Sequence, residues 1–125
     1  MNLESAAEAL KYSFDTGDRG PWKALFAPGC VNWHNSDKLE VESGAFDGAA
    51  ALYERVEGLH ADIVQHEVFP SGQMIRIVIK GTVRATGRLL EGHNCIVLTT
   101  DTTGITRIDD YVDPNFGSAF VPEDE

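Results

Sequence analysis

"TGDRGPWKALFAPGCVNWH", residues 16–34, changes character repeatedly over a short distance. Gly17 stops the helical spacing that precedes it. Asp18 can cap, Pro21 suits a first turn, and Trp22, Leu25 and Phe26 share one helical face. Pro28-Gly29 then ends that helix, and Cys30 to Asn35 reads as a strand entering a core. The strand delivers His34 and Asn35, two side chains that need hydrogen-bond partners. An imidazole at that place is either an ordinary surface residue or a base held at the wall of a pocket.

Outward from this stretch, the apolar positions Leu3, Ala6, Ala7, Leu10 and Phe14 have helical spacing over residues 3–15. Downstream, a short return is expected near Lys38–Glu42. "FDGAAALYERVEGL" predicts a third helix, with Asp47 as cap, Leu52, Val56 and Leu59 as one stripe, and Gly58 weakening its end. After it the apolar period falls to two. Strands are expected at about 61–69, 73–86, 88–100 and 104–113, joined by Pro70-Ser71-Gly72 and Asp101-Thr102-Thr103-Gly104 turns. Pro122 to Glu125 is expected to fray. Helices followed by long antiparallel strands predict an α+β fold in one domain, residues 1–125, with a curved sheet enclosing a hollow.

Composition excludes several classes. The chain has 125 residues, 42% hydrophobic and 24% charged, enough for a single core without a disulfide or metal staple. Ten basic and twenty acidic residues give a formal charge of −10, which repels phosphate backbones and anionic lipid, so neither nucleic acid nor a membrane is an expected partner. Cys30 and Cys95 lack metal-ligand spacing and read as free thiols, and the four histidines show no HxH or HxxxH pair, so no metal is expected. No glycine-rich phosphate loop points to a cofactor, and none is expected. Met1 to Leu10 carries two glutamates and no apolar h-region, and no apolar run spans a bilayer, so a cytoplasmic setting is expected.

The run "TGDRGPWKALFAPGCVNWH", then "GAFDGAAALYERV", then "GITRIDDYVDP", resembles the SnoaL-like group of the nuclear transport factor 2-like superfamily, which includes ketosteroid isomerases. The resemblance runs in order along nearly the whole chain. It implies a cone-shaped (cystatin-like) fold: about three N-terminal helices wrapped by a curved, mostly antiparallel sheet, often dimeric through the outer sheet face. Members of the superfamily include isomerases, polyketide cyclases, epoxide-hydrolase-like enzymes and proteins without catalysis, so fold alone does not settle function.

The resemblance places the isomerases' general-base aspartate on His34, whose ordinary pKa suits a base at neutral pH. The isomerases' oxyanion tyrosine falls on Leu10, which cannot donate, and their second oxyanion acid falls near Asn94, a weaker donor. Alternation in "IDDYVD" puts Ile108, Asp110 and Val112 on one face, expected to be the interior. Epoxide-hydrolase-like enzymes keep an aspartate at the place of Asp110, but their Arg-x-Asp partner is missing from "KGTVRATG". Cyclases of SnoaL type use one carboxylate as a base, a role Asp110 can fill.

Candidate catalytic residues are therefore His34, Asp110 and Asn94. Trp22, Phe26, Trp33, Val56 and His66 are the expected ligand-binding residues. Arg76 and His93 are expected on the outer side. Three functions stay open: a cofactor-independent isomerase or cyclase working by acid/base chemistry on a small apolar molecule, a non-catalytic binding module, and a protein-interaction module. A homodimer through the sheet is implied by the resemblance.

Overall fold

A computed structural model of the chain describes residues 6–45 and 48–122. Leu3, the Asp47 cap and the end of the fraying tail lie outside the described residues. Helix α1 spans Ala6–Thr16 and α2 Gly20–Lys23; strand β1 spans Phe26–His34 and β2 Glu40–Glu42. A 3-10 turn over Ser43–Ala45 leads to α3, Gly48–Arg55. Strands β3 (Val56–Phe69), β4 (Gly72–Val83), β5 (Leu89–Asp101) and β6 (Gly104–Tyr111) follow, and a 3-10 turn over Phe116–Phe120 ends the ordered elements. The six strands form one open mixed sheet in the order β2-β1-β6-β5-β4-β3. Every pair is antiparallel except β1 with β6, which run parallel.

One sheet face packs against the helices. It carries Ile75, Ile77 and Ile79 of β4, Leu90, Ile96 and Leu98 of β5, and Ile105 and Ile108 of β6, all buried. Leu10, Phe14 and Trp22 meet them from the helical side. The alternation read in "MIRIVIKG" is thus the core pattern, with Arg76 turned outward and exposed. No helix among the described residues is long and apolar enough to cross a membrane.

Three expectations need correction. The second helix is a single turn, and Phe26 belongs to β1. Pro28-Gly29 does not separate helix from strand; it lies inside β1, where the pairing with β6 shifts between Phe26 and Val31. Gly29 takes φ 77°, which a side chain resists, and Pro28 needs no ladder donor, so the pair builds a bulge rather than a stop. The third helix ends at Arg55, so Val56 and Leu59 are strand residues, Val56 lying opposite Val83. Helical and strand spacings coincide over so short an apolar run.

Helix α1 is tied to β3 by polar bonds as well as packing. Asp15 Oδ1 accepts the Ala61 N–H at 2.9 Å. Lys11 Nζ donates to Ala61 O at 2.6 Å and pairs with Asp15 Oδ2 at 2.9 Å. Asp15→Ala leaves a buried N–H without its acceptor and should cost about 1–3 kcal/mol in urea unfolding. Asp18→Ala, which removes only an exposed bond to Gly20 N–H, should cost about 0.5 kcal/mol.

Candidate functional site

Parallel strands keep their ends level, and β1 and β6 both finish at the same rim of the sheet. Their register sets Asn32 opposite Ile108 and His34 opposite Asp110. On the other side Asp110 lies opposite Ile96 of β5. Cys30, Asn32, His34, Ile108 and Asp110 therefore share the helix-side face, while Trp33 and Tyr111 share the outer one.

The two predicted groups meet. His34 Nε2 stands 3.5 Å from Asp110 Oδ2, with only 12% and 18% of the two side chains exposed. That spacing exceeds the 2.7–2.9 Å usual for a charge-assisted bond. Asp110 Oδ1 is fully buried and has no hydrogen-bond partner; among the described residues no other buried side-chain polar atom shares that condition. Burial pushes the Asp110 carboxyl up to about 7. Burial also lowers the His34 imidazole, against an opposing pull from the Asp37 charge. Both shifts favour the neutral forms. Near neutral pH the corner holds an acid that can give a proton and an imidazole that can take one.

Asp110 lines a small cavity of about 50 Å³ with Leu10, Phe14, Trp22, Ile96 and Ile108. Asn32, Ser13 and Arg19 complete its wall. This is room for a few waters, against roughly 300–1,000 Å³ for a drug-sized ligand site. Trp22 reaches the cavity and stacks edge-on with Phe26, ring centroids 5.6 Å apart. The polar wall is held in place. Ser13 donates to Leu10 O at 2.6 Å, and the Ser43 hydroxyl bonds the Asn32 side-chain oxygen and reaches Cys30 Sγ at 3.2 Å.

The other predicted residues lie elsewhere. Asn94 is buried two positions before Ile96, and its Oδ1 accepts the Asp113 N–H at 3.0 Å. Trp33 is on the outer face with its ring against Tyr111, centroids 5.4 Å apart. Val56 is a core residue at the start of β3, and His66 Nε2 bonds Gln73 Oε1 at 2.7 Å. His93 is exposed and pairs with Glu91 at 2.9 Å. Asn32 was not foreseen, although its alternation between Cys30 and His34 carries the signal. Arg19 lies in a turn, where no periodicity marks it. Among the described residues no cluster of His, Cys, Asp and Glu could hold a metal ion.

No family model matches the sequence, and no curated protein does. Solved structures do match. A protein of ketosteroid isomerase-like fold from Catenulispora acidiphila, in complex with trimethylamine, superposes with a TM-score of 0.77 at 16% identity, over 96% of this chain and 95% of that one. The fold is the nuclear transport factor 2-like cone. A nuclear transport factor 2-like protein from Burkholderia thailandensis gives 0.77 at 16% identity, over 94% and 98% of the two chains. A protein assigned as a SnoaL-like polyketide cyclase from Jannaschia sp. CCS1 gives 0.72 at 16%, over 95% and 94%. The α+β cone expected from the resemblance is therefore the observed architecture, with His34 and Asp110 facing its interior.

The raised Asp110 carboxyl has a stability consequence of definite sign. The folded state holds this proton more tightly than the unfolded chain, so its contribution is fully present below pH 4 and is lost as pH rises through 7. Asp110→Asn should therefore gain stability relative to the unsubstituted chain between pH 4 and pH 8. The gain is up to about 4 kcal/mol, at roughly 1.4 kcal/mol per pKa unit. Urea unfolding of both proteins at the two pH values measures it, and the His34 effect runs the opposite way below pH 6.5.

Proposed function

We propose that the chain is a SnoaL-like small-molecule-binding protein that transfers a proton on a small apolar carbonyl compound. One observation carries the reading: Asp110 lines a cavity with Leu10, Phe14, Trp22, Ile96 and Ile108, its Oδ1 buried without a partner and its Oδ2 beside His34. Asp110 is the group that meets the ligand. As a carboxylate it takes the proton from carbon next to the carbonyl; as the acid it returns one. A carboxyl raised toward 7 is matched to both steps at neutral pH. His34, on the Oδ2 side, orients the carboxyl and relays its proton.

Asn94 has its oxygen committed to Asp113 N–H, and its NH2 remains to polarise a ligand carbonyl. Trp22 lines the cavity and Phe26 packs against it, so the two supply apolar area. Cyclase, isomerase and epoxide-hydrolase-like names occur among the structural neighbours, which supports a small-molecule role without choosing a reaction.

The small cavity favours one further element of the reading, that the ligand enters by displacing part of its lining. The outer face supports a homodimer: a groove of about 630 Å³ there is lined by Val64, Arg76, Val78, Cys95 and Tyr111 among others. Free Cys30 and Cys95 fit a reducing, cytoplasmic compartment.

Deuterium exchange into the α-carbon of a cyclic monoketone in D2O, followed by NMR, tests the chemistry. The protein should accelerate exchange, and Asp110→Asn should lower that rate by about 10²–10⁴. His34→Ala should lower it less and shift its pH profile. Equal rates for the protein and Asp110→Asn would remove the proposal.

A further inference from the structure

The chain leaves β6 at Tyr111, at the rim where His34 and Asp110 sit, and the following segment, a strap, runs on beside β5 past His93 and Gly92 to Arg88. Two asparagines hold the start of this strap. Asn35 Oδ1 accepts the Val112 N–H at 2.8 Å, and its Nδ2 donates to Val112 O at 3.3 Å. Asn94 Oδ1 takes the next N–H, that of Asp113. Beyond Pro114 the bonds between the strap's own backbone groups are local: Phe116 N–H to Asp113 O, Ser118 N–H to Asn115 O and Val121 N–H to Ser118 O.

What fixes the far end is a set of side chains. Arg88 Nη1 donates to Ser118 O at 2.6 Å and Val121 O at 2.7 Å. The Thr86 hydroxyl donates to Ala119 O at 2.7 Å. The Arg55 guanidinium lies 5.2 Å from the Phe120 ring centre. Strap and sheet thus share no ladder past Asp113, and the fastening can open without breaking a strand.

Under the strap is a shaped seat. Phe116 and Phe120, both half-buried against the core, stand 6.5 Å apart by ring centroids. The Phe116 ring occupies the place of a side chain on β5: a Cβ on Gly92 would lie 2.2 Å from it. Gly92 is opposite Ile79 on the helix-side face, two positions before Asn94 and four before Ile96, which faces Asp110. A ring on Gly92 therefore lies along the same strand face as the His34–Asp110 corner. A further hollow of about 480 Å³ opens at the strap's root, between Asn35, Val112, Pro114 and Phe116.

We propose that the seat of Phe116 and Phe120 on β5 is a latent ligand subsite for a flat apolar ring, occupied by the strap while no ligand is bound. Its use in catalysis rests on the proton-transfer reading above; its capacity to bind a ring does not. A ligand ring takes the place of Phe116 over Gly92, beside the free NH2 of Asn94, with its reacting end toward Asp110. The strap then turns about Asp113–Pro114.

Binding of 2-naphthol, followed by amide shifts of Gly92, Asn94 and Ile96, tests the subsite. Phe116→Ala/Phe120→Ala, and separately Arg88→Ala, which leaves both rings in place, should each tighten binding by about tenfold or more, because the competing strap no longer reduces the open fraction. Adding Gly92→Leu to either should abolish the gain. Affinity unchanged in both variants overturns the proposal, as does a gain that survives Gly92→Leu. A protein that binds naphthol with the expected response to these variants but does not speed ketone exchange keeps the subsite and loses the proton-transfer reading, so the two failures are read separately.

Discussion

The parallel pairing of β1 with β6 is the constraint on which the site depends. Its register makes His34 and Asp110 neighbours although 76 positions separate them in the chain. The alternation of a strand is strict, so a slip by one residue would turn Trp33 and Asp109 inward and send the imidazole and carboxyl to the outside. The bulge at Pro28-Gly29 absorbs the shift between the first and later parts of β1 and so sets that register. A stretch that reads as punctuation is thus part of the site's alignment.

Burying Asp110 works against stability. Its neighbours in the wall are satisfied: Asn32 by Ser43, and Ser13 by its own helix. Asp110 Oδ1 alone among buried side-chain polar atoms of the described residues lacks a partner. A core optimised only for folding would place an asparagine or an aliphatic residue there, because an orphaned acceptor costs about 1–3 kcal/mol. A local rule broken in one place, inside an otherwise consistent core, is the pattern expected of a functional group. The same carboxyl that weakens the fold at high pH is the one whose proton is available near neutrality.

The segment after Asp113 is attached in a different physical way from the rest of the fold. Strands β3 to β6 are joined by long antiparallel ladders and a packed isoleucine layer. The segment after Asp113 is held by Arg88, Thr86, Arg55 and two rings. Each of these side-chain bonds is individually modest, and Ala119 adds a buried contact with the core. Gly92 records the close approach in the sequence, yet a lone glycine in a strand has several meanings, and only the position of Phe116 selects one.

By itself the sequence determined the order of helices and long strands, the inward face of β4 and the interior direction of Asp110, because alternation at period two is a local property that the pleat enforces. It also carried the resemblance that named the cone. It misplaced the bounds of β1 and α3, where a bulge and a short apolar run imitate other signals. Tertiary structure decided what no local pattern encodes: that His34 and Asp110 touch, that Asn94 serves the root of the strap, that Trp33 faces away, and that the hollow is nearly filled. Each depends on register between distant strands and on which side chains reach a shared space, and these are set by packing across the whole fold.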